Sequence, residues 1–288
     1  MNTYVPQQIK KEGRKTMIKT KTGFLIPVFV LAACQGDAPE QEWEESAEAE
    51  EIEEVRQPAE EDWESGEFME KTFDYEAAFA QNDYAGEVDG DELYEFEAGE
   101  EDTTILITAP HTTAYLRDSD QETQPAAIYT GALIQLLQDY TGAHILYTVK
   151  KDADPSFYPA SPFKQEMERI VEDHEVDVVI DLLGAGASHN FAIDIGTDDG
   201  AYMDDTYSAD LNAFAEQQGV GPVVLNNTFS ASDDQTIAAF SHRELDLASM
   251  QLQIQSGYRN PRENEEAFYD MTVVLSEFIH HLDRSYEK

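Results

Sequence analysis

The stretch VDVVIDLLGAG at residues 176–186 decides the fold class of this chain of 288 residues. Eight residues, Val176 to Leu183, are aliphatic except for Asp177 and Asp181, and a glycine-rich segment follows them. A short run of almost uninterrupted apolar residues is typical of a strand that is buried on both faces of a parallel sheet. We therefore predict a central strand from Val176 to Leu183.

The segments around this strand alternate between strand-like and helix-like patterns. Before it, we predict strands at residues 104–109 and 144–149 and helices at residues 125–140 and 161–174, the second capped by Ser161. After it, we predict strands at residues 191–196, 223–225, 236–240 and 250–254 and helices at residues 208–218 and 261–283. This order predicts an α/β fold, a three-layer sandwich in which helices flank a mixed, largely parallel sheet.

Charge divides the chain into three regions within a net charge of -42. Residues 1–36 are basic, residues 37–102 carry 28 acidic residues against two basic ones, and the remainder is moderately acidic. We predict a leader at residues 1–33, an acidic disordered tether at 34–102 with at most a short helix near residues 75–80, and one domain at 103–288. The acidity excludes nucleic acid as a partner, because binding phosphate needs a basic face.

The leader has the pattern of a secretory signal, with Lys19 and Lys21 ahead of a short apolar run. The quartet Leu31-Ala32-Ala33-Cys34 resembles the lipobox of bacterial lipoproteins. That resemblance implies that Cys34, the only cysteine, carries a lipid and that the protein is membrane-anchored on the extracytoplasmic face. A signal for soluble secretion is the alternative, and the start codon is either Met1 or Met17.

Polar residues follow three of the predicted strands at their carboxyl ends. His111 follows the first strand, residues 184–189 follow the central one, and Arg259 follows the last. In open α/β sheets, ligands bind beyond the carboxyl ends of the strands. We therefore expect the functional site at this edge. The sequence contains no glycine-rich nucleotide fingerprint and no G-x-S-x-G motif, which disfavours nucleotide binding and one type of serine hydrolase.

Seven short motifs, in order along residues 104–283, resemble the N-formylglutamate amidohydrolase family. They are TAPH at 108–111, YLRD at 115–118, IYTGA at 128–132, DLLGA at 181–185, DIGT at 194–197, QLQI at 251–254 and YR at 258–259. The family is similar to zinc carboxypeptidases, and its fold is phosphorylase/hydrolase-like. The resemblance implies a metal at the strand ends and hydrolysis of amide bonds next to a carboxylate.

The resemblance also implies a role for particular positions of this chain. His111 matches the first zinc ligand, and Arg117 and Arg259 match arginines that hold the substrate carboxylate. Three positions depart from the pattern. Ala127 stands where an acidic ligand is expected, Leu183 where a histidine ligand is expected, and Gln253 where a glutamate acts as the general base. Alanine and leucine offer zinc no lone pair, so we expect zinc to have been lost.

Three functions remain open from the sequence. The first is a non-catalytic lipoprotein that binds a small-molecule or peptidic carboxylate ligand. The second is an active amidohydrolase or carboxypeptidase with relocated ligands, for which Glu122, Asp181, His189 and Asp194 are candidates. The third is a solute-binding lipoprotein of a transporter, although such proteins usually need two comparable lobes.

Overall fold

The computed structural model describes residues 56–86, 90–117, 119, 121–158 and 160–286. The helices are α1 (56–65), α2 (Glu67–Phe79), α3 (Thr130–Thr141), α4 (Pro162–Asp173), α5 (Asp205–Gln218), α6 (Ile237–Leu245), α7 (Ser256–Arg259) and α8 (Glu265–Tyr286). The strands are β1 (Tyr94–Glu97), β2 (Ile105–Ala109), β3 (Tyr115–Leu116), β4 (Thr123–Gln124), β5 (His144–Thr148), β6 (Val178–Ala185), β7 (Ile193–Gly196), β8 (Val223–Leu225) and β9 (Ala248–Gln255).

Seven strands form one mixed sheet in the order β1-β5-β2-β6-β9-β7-β8. The central strands β5, β2, β6 and β9 run parallel to one another. The outer strand β1 is antiparallel to β5, and β7 is antiparallel to β9 but parallel to β8. Strands β3 and β4 form a separate two-stranded hairpin. The mixed, largely parallel sheet confirms the predicted fold class.

Helices cover both faces of the sheet and create two cores. Val178, Ile180 and Leu182 of β6 point into a larger core beneath α2, α3, α5 and α8. Val179 points the other way, into a smaller core with residues of α4 and α6. Successive side chains of a strand alternate between faces, and an apolar residue on each face requires a layer of helices on each side. The three-layer arrangement follows from this burial.

Most predicted elements are present, with shifted ends, but residues 236–240 were wrongly predicted as a strand. They begin the helix α6 instead. Thr236 is its N-cap, and its side-chain oxygen accepts a hydrogen bond from the backbone N–H of Ala239. Short apolar runs do not distinguish a strand from a buried helix, and the capping threonine decides the outcome here.

The acidic region differs from the predicted disordered tether over residues 56–86 and 90–102. Helices α1 and α2 pack on the domain, and β1 extends its sheet. Phe68, Thr72, Glu76 and Phe79 are buried along one face of α2. Their spacing of three and four residues is helical, and the surrounding glutamates occupy the solvated face. The fold therefore begins well before residue 103.

No helix in the described part of the chain is long and apolar enough to cross a membrane. The predicted leader, Cys34 and residues 35–55 lie outside the described residues. The lipid anchor therefore stays a prediction.

Candidate functional site

The carboxyl ends of β2, β6 and β9 lie at one edge of the sheet, because these strands are parallel neighbours. His111 follows β2, the segment 186–192 follows β6, and α7 follows β9. The structure thus places the ends of the predicted site segments along the expected edge.

His111 pairs with a carboxylate that the sequence did not single out. Its Nε2 lies 3.0 Å from Oδ1 of Asp154, and its ring stacks on Tyr115 with centroids 4.0 Å apart. Burial alone would raise the pKa of Asp154, but the hydrogen bond from His111 and the backbone N–H of Ser156 outweigh it and lower that pKa. The imidazole nitrogen is therefore held by an ionised carboxylate.

Two buried ionisable groups lie near this pair. Asp181 is fully buried on β6, where Oδ1 accepts a hydrogen bond of 2.9 Å from the hydroxyl of Thr108. Burial raises the pKa of Asp181 to about 7 and lowers the pKa of Lys164 to about 8. The ammonium of Lys164 donates to the carbonyls of Ser156 and Gln235. The cluster is polar and most of its hydrogen-bonding groups are paired, but Oδ2 of Asp181 has no hydrogen-bond partner among the described residues.

Leu183 and Gln253 occupy adjacent positions beside this cluster. They are register partners on β6 and β9 and are only 7% and 8% exposed. Side-chain alternation puts Leu183 on the same face of the sheet as Asp181. The position where the resemblance requires an imidazole thus carries a hydrocarbon, and the position of the base carries an amide that is not basic.

The residues expected to hold zinc do not fit the ion. Leu183 and Ala127 have no donor atom, and His111 directs its Nε2 to Asp154. Catalytic zinc takes three protein ligands. Within the described ranges, no three His, Cys, Asp or Glu side chains are grouped so that they could hold a metal.

The four candidates for relocated ligands have other contacts. Asp181 is paired with Thr108, and Asp194 accepts hydrogen bonds from the backbone N–H groups of residues 227–229. His189 packs against the rings of Phe191 and Phe229. Glu122 is exposed and lies 3.4 Å from Arg117.

Arg259 lies inside the protein at the same edge. It is 4% exposed, and its guanidinium donates to the carbonyls of Ile128, Ala185 and Ile254. Burial lowers its pKa to about 10, although Glu76 opposes this. The contacts join the ends of β6 and β9 to the start of α3. Arg259 therefore connects these three segments of the fold.

Arg117 has a different environment, on the hairpin formed by β3 and β4. Its side chain is about half exposed and forms an ion pair with Glu122. An exposed pair of this kind contributes little to stability. Arg117 remains a predicted ligand-binding residue, in contact with solvent.

Sequence reasoning missed Asp154 and Glu76, which the structure places beside His111 and near Arg259, respectively. Asp154 lies in the segment DADPS at 152–156, and an Asp before a proline has many structural uses. Glu76 is one of many glutamates in the acidic region. Its spacing of four residues from Thr72 and three from Phe79, which are also buried, was the available signal.

Substituting Gly184 tests the connecting role of Arg259. A Cβ at Gly184 would lie 2.5 Å from Nη2 of Arg259 and 2.8 Å from the Cβ of Ala127. We expect Gly184→Ala to lower the free energy of unfolding by about 1–3 kcal/mol, because overpacking displaces the guanidinium. Denaturant unfolding measures this. Gly186→Ala is the matched control, since a Cβ there meets nothing within 4 Å; equal effects would contradict the role.

Replacing Asp181 should change how stability depends on pH. Because burial raises its pKa from 3.8 to about 7, its contribution is intact below pH 4 and is lost as the pH rises through 7. Asp181→Asn has no such loss, and its Oδ1 still accepts from Thr108. The variant should therefore gain stability relative to the wild type between pH 4 and 7. Thermal melts across this range measure the difference, and a constant difference would contradict the prediction.

Comparisons with known proteins support the fold. No family model and no curated protein sequence matches the chain. A solved gene product of Agrobacterium tumefaciens is 14% identical over 70% of this chain and 98% of its own, with a TM-score of 0.50. The N-formylglutamate amidohydrolase of Ralstonia eutropha JMP134 is 13% identical over 67% of this chain and 98% of its own, with a TM-score of 0.48. At these identities, the likeness to known structures shows a shared α/β fold alone.

Proposed function

We propose that this protein is a membrane-anchored extracytoplasmic lipoprotein whose amidohydrolase-like domain binds a carboxylate-bearing ligand without hydrolysing it. The supporting features are the lipobox-like quartet ending at Cys34, the family motifs, and the side chains at the sheet edge. Replacing Cys34 by serine should move the protein from the membrane fraction to the soluble fraction. Unchanged fractionation would contradict the anchor.

The observation that carries the non-catalytic part is the pairing of Leu183 with Gln253. Metal-assisted hydrolysis needs an ion that acidifies water and a base that takes its proton. A leucine coordinates no ion, and a neutral amide accepts no proton at neutral pH. The metal ligand and the base that the family pattern requires are therefore both replaced, at neighbouring positions on the same face of the sheet.

The ligand carboxylate needs a donor other than Arg259. That guanidinium is buried and donates to three backbone carbonyls. The side chain of Arg117 is about half exposed and can reach a ligand from solvent. The described residues build one large sheet of seven strands beside a two-stranded hairpin, which supports this function over that of a transporter's binding protein with two comparable lobes.

The test combines metal analysis with restoration of the family pattern. We expect the purified protein to contain no stoichiometric zinc and not to hydrolyse N-formylglutamate or acidic peptides. The combined variant Ala127→Asp, Leu183→His and Gln253→Glu should gain zinc, because it restores two ligands and a base. Leu183→Met within the same combination is the matched control. Stoichiometric zinc with chelator-sensitive hydrolysis in the unchanged protein would overturn the proposal and favour relocated ligands.

A further inference from the structure

A cavity of about 520 Å³ lies between α2, the residues before α3 and the segment after α7. This volume falls within the range of small-molecule sites. Part of its wall is apolar, and Ile128 in that wall is a large hydrophobic residue that the described fold leaves exposed. An apolar group of a ligand would be removed from water against this wall. The lining residues include Phe73, Ala77, Tyr84, Ile128, Tyr129 and Arg262.

Arg262 supplies a cation to this cavity. Its guanidinium lies 5.0 Å from the ring centroid of Phe73. Burial raises the pKa of Tyr84 and the pKa of Tyr129, and the charge of Arg262 opposes both rises, so the guanidinium lies near the two phenols. All three rings belong to the cavity wall. The guanidinium therefore faces the cavity, although the residue stays exposed to solvent.

The charge of Arg262 is not balanced as those of other arginines in this acidic chain are. The chain has 60 acidic residues against 18 lysines and arginines. Four other described arginines each form an ion pair with a carboxylate, namely Arg56, Arg117, Arg169 and Arg243. No carboxylate of the described residues forms such a pair with Arg262, whose neighbours are the three rings. A guanidinium in this state can bind the carboxylate of a ligand through two parallel N–H groups.

The carboxylate of Glu76 lies behind the cavity wall and does not compete for Arg262. Its Oε1 accepts hydrogen bonds from the hydroxyl of Tyr84 at 2.6 Å and from the backbone N–H of Tyr129 at 2.8 Å, and its Oε2 is enclosed by protein. Burial raises the pKa of Glu76, while these hydrogen bonds and the charge of the buried Arg259 oppose that rise. Because Arg259 compensates this charge, Glu76 leaves the cavity open to an anion.

We propose that this cavity binds a monocarboxylate with an apolar body, its carboxylate on Arg262 and its apolar part against Phe73, Ala77 and Ile128. A simple cation would be repelled by Arg262. The ammonium of an amino acid would lose water without gaining a partner, because the carboxylate of Glu76 is closed off from the cavity. The inference rests on the proposed carboxylate-binding function and deepens it by naming the ligand class and the residues.

Titrations of the full chain, followed by ligand-observed NMR, examine this site with acetate, hexanoate and phenylacetate as probes. We expect hexanoate or phenylacetate to bind at millimolar concentration or below, and acetate at least about tenfold more weakly, because acetate buries less apolar surface. The neutral analogue phenylacetamide should bind about tenfold more weakly than phenylacetate, because it loses the charged hydrogen bonds to the guanidinium. Phenylalanine should also bind more weakly than phenylacetate.

Two pairs of variants locate the site. Arg262→Gln should weaken phenylacetate binding about tenfold and remove the preference over phenylacetamide, whereas Arg169→Gln, at an exposed arginine of α4, should change neither. Ala77→Phe places a ring at an exposed position of the cavity wall and should reduce binding of every probe. Ala78→Phe is its matched control, since Ala78 is exposed on the same helix but lines other cavities.

The inference is overturned if neither hexanoate nor phenylacetate binds, if phenylacetamide binds as well as phenylacetate, or if the two members of either variant pair behave alike. Loss of binding in Arg117→Gln but not in Arg262→Gln would also overturn this site, but it would keep the proposed carboxylate-binding function. Conversely, zinc-dependent hydrolysis alongside an Arg262-dependent affinity for phenylacetate would overturn the proposed function and keep this site.

Discussion

A chain that begins at Thr103, the predicted start of the domain, is expected not to fold cooperatively. It lacks α1, α2 and β1, and with the two helices it loses Ala59, Phe68 and Phe79 of the larger core. Phe68 is fully buried and contacts the rings of Tyr140, Phe268 and Tyr269. Its removal would expose faces of α3 and α8 that are otherwise covered.

The expected loss of folding free energy is large enough to prevent folding. Losing one buried phenylalanine costs about 3–5 kcal/mol, so Phe68 and Phe79 together account for about 6–10 kcal/mol. The total stability of a domain is about 5–15 kcal/mol. The loss is therefore comparable to the whole stability of the domain, before the unpaired edge of β5 is considered.

A chain that begins at Glu53 is the matched control, since it removes residues 1–52 but retains α1, α2 and β1. We expect it to melt cooperatively near the temperature of the full chain. Circular dichroism and denaturant unfolding compare the two truncations. If the chain from Thr103 melts as cooperatively as the chain from Glu53 and at the same temperature, the N-terminal elements do not stabilise the core.

The second large effect concerns a buried ion pair between α1 and α8. Arg56 pairs with Glu277, whose side chain is 0% exposed, whereas that of Arg56 is 31% exposed. Removing one partner of a buried pair leaves an uncompensated charge and costs about 3–5 kcal/mol. We expect Arg56→Leu to lower the free energy of unfolding by about 3 kcal/mol, near the lower limit because Arg56 retains some contact with water.

A double-variant cycle measured by denaturant unfolding tests this pair. Replacing Arg56 and Glu277 together by leucine should restore most of the lost stability, because apolar residues of similar volume need no ionic partner. Arg169→Leu on the surface of α4 is the control and should be nearly neutral. If Arg56→Leu is equally neutral, the pair does not stabilise the domain.

The central part of the fold was predictable because its elements are strongly patterned. The runs at 104–109 and 176–183 match β2 and β6 closely, and Ser161 caps α4 as predicted, accepting from the backbone N–H of Lys164. Helices α1 and α2 were not predicted as packed elements. Their dense charge hides four buried positions on a narrow stripe, and tertiary packing overrides the composition.

The sequence predicted which edge of the sheet holds the candidate site, but it did not predict the contacts between the side chains there. Parallel strands bring His111, Leu183 and Gln253 to the same end, and this follows from the order of elements. The pairing of His111 with Asp154 joins residues 43 positions apart, and the sequence does not specify it. The burial of Arg259 under the start of α3 was not predicted either, because arginine is mostly exposed in proteins and nothing in the neighbouring sequence indicates that this one is buried.

If Cys34 carries the proposed lipid, the placement of α1 within the fold limits how far the domain can lie from the bilayer. With the proposed lipid on Cys34, only residues 35–55 separate the acyl chains from the first described helical residue. A chain of that length reaches about 75 Å at most, whereas a chain extending to residue 102 would reach about 240 Å. The domain would then stay close to the membrane surface, with little freedom to reach away from it.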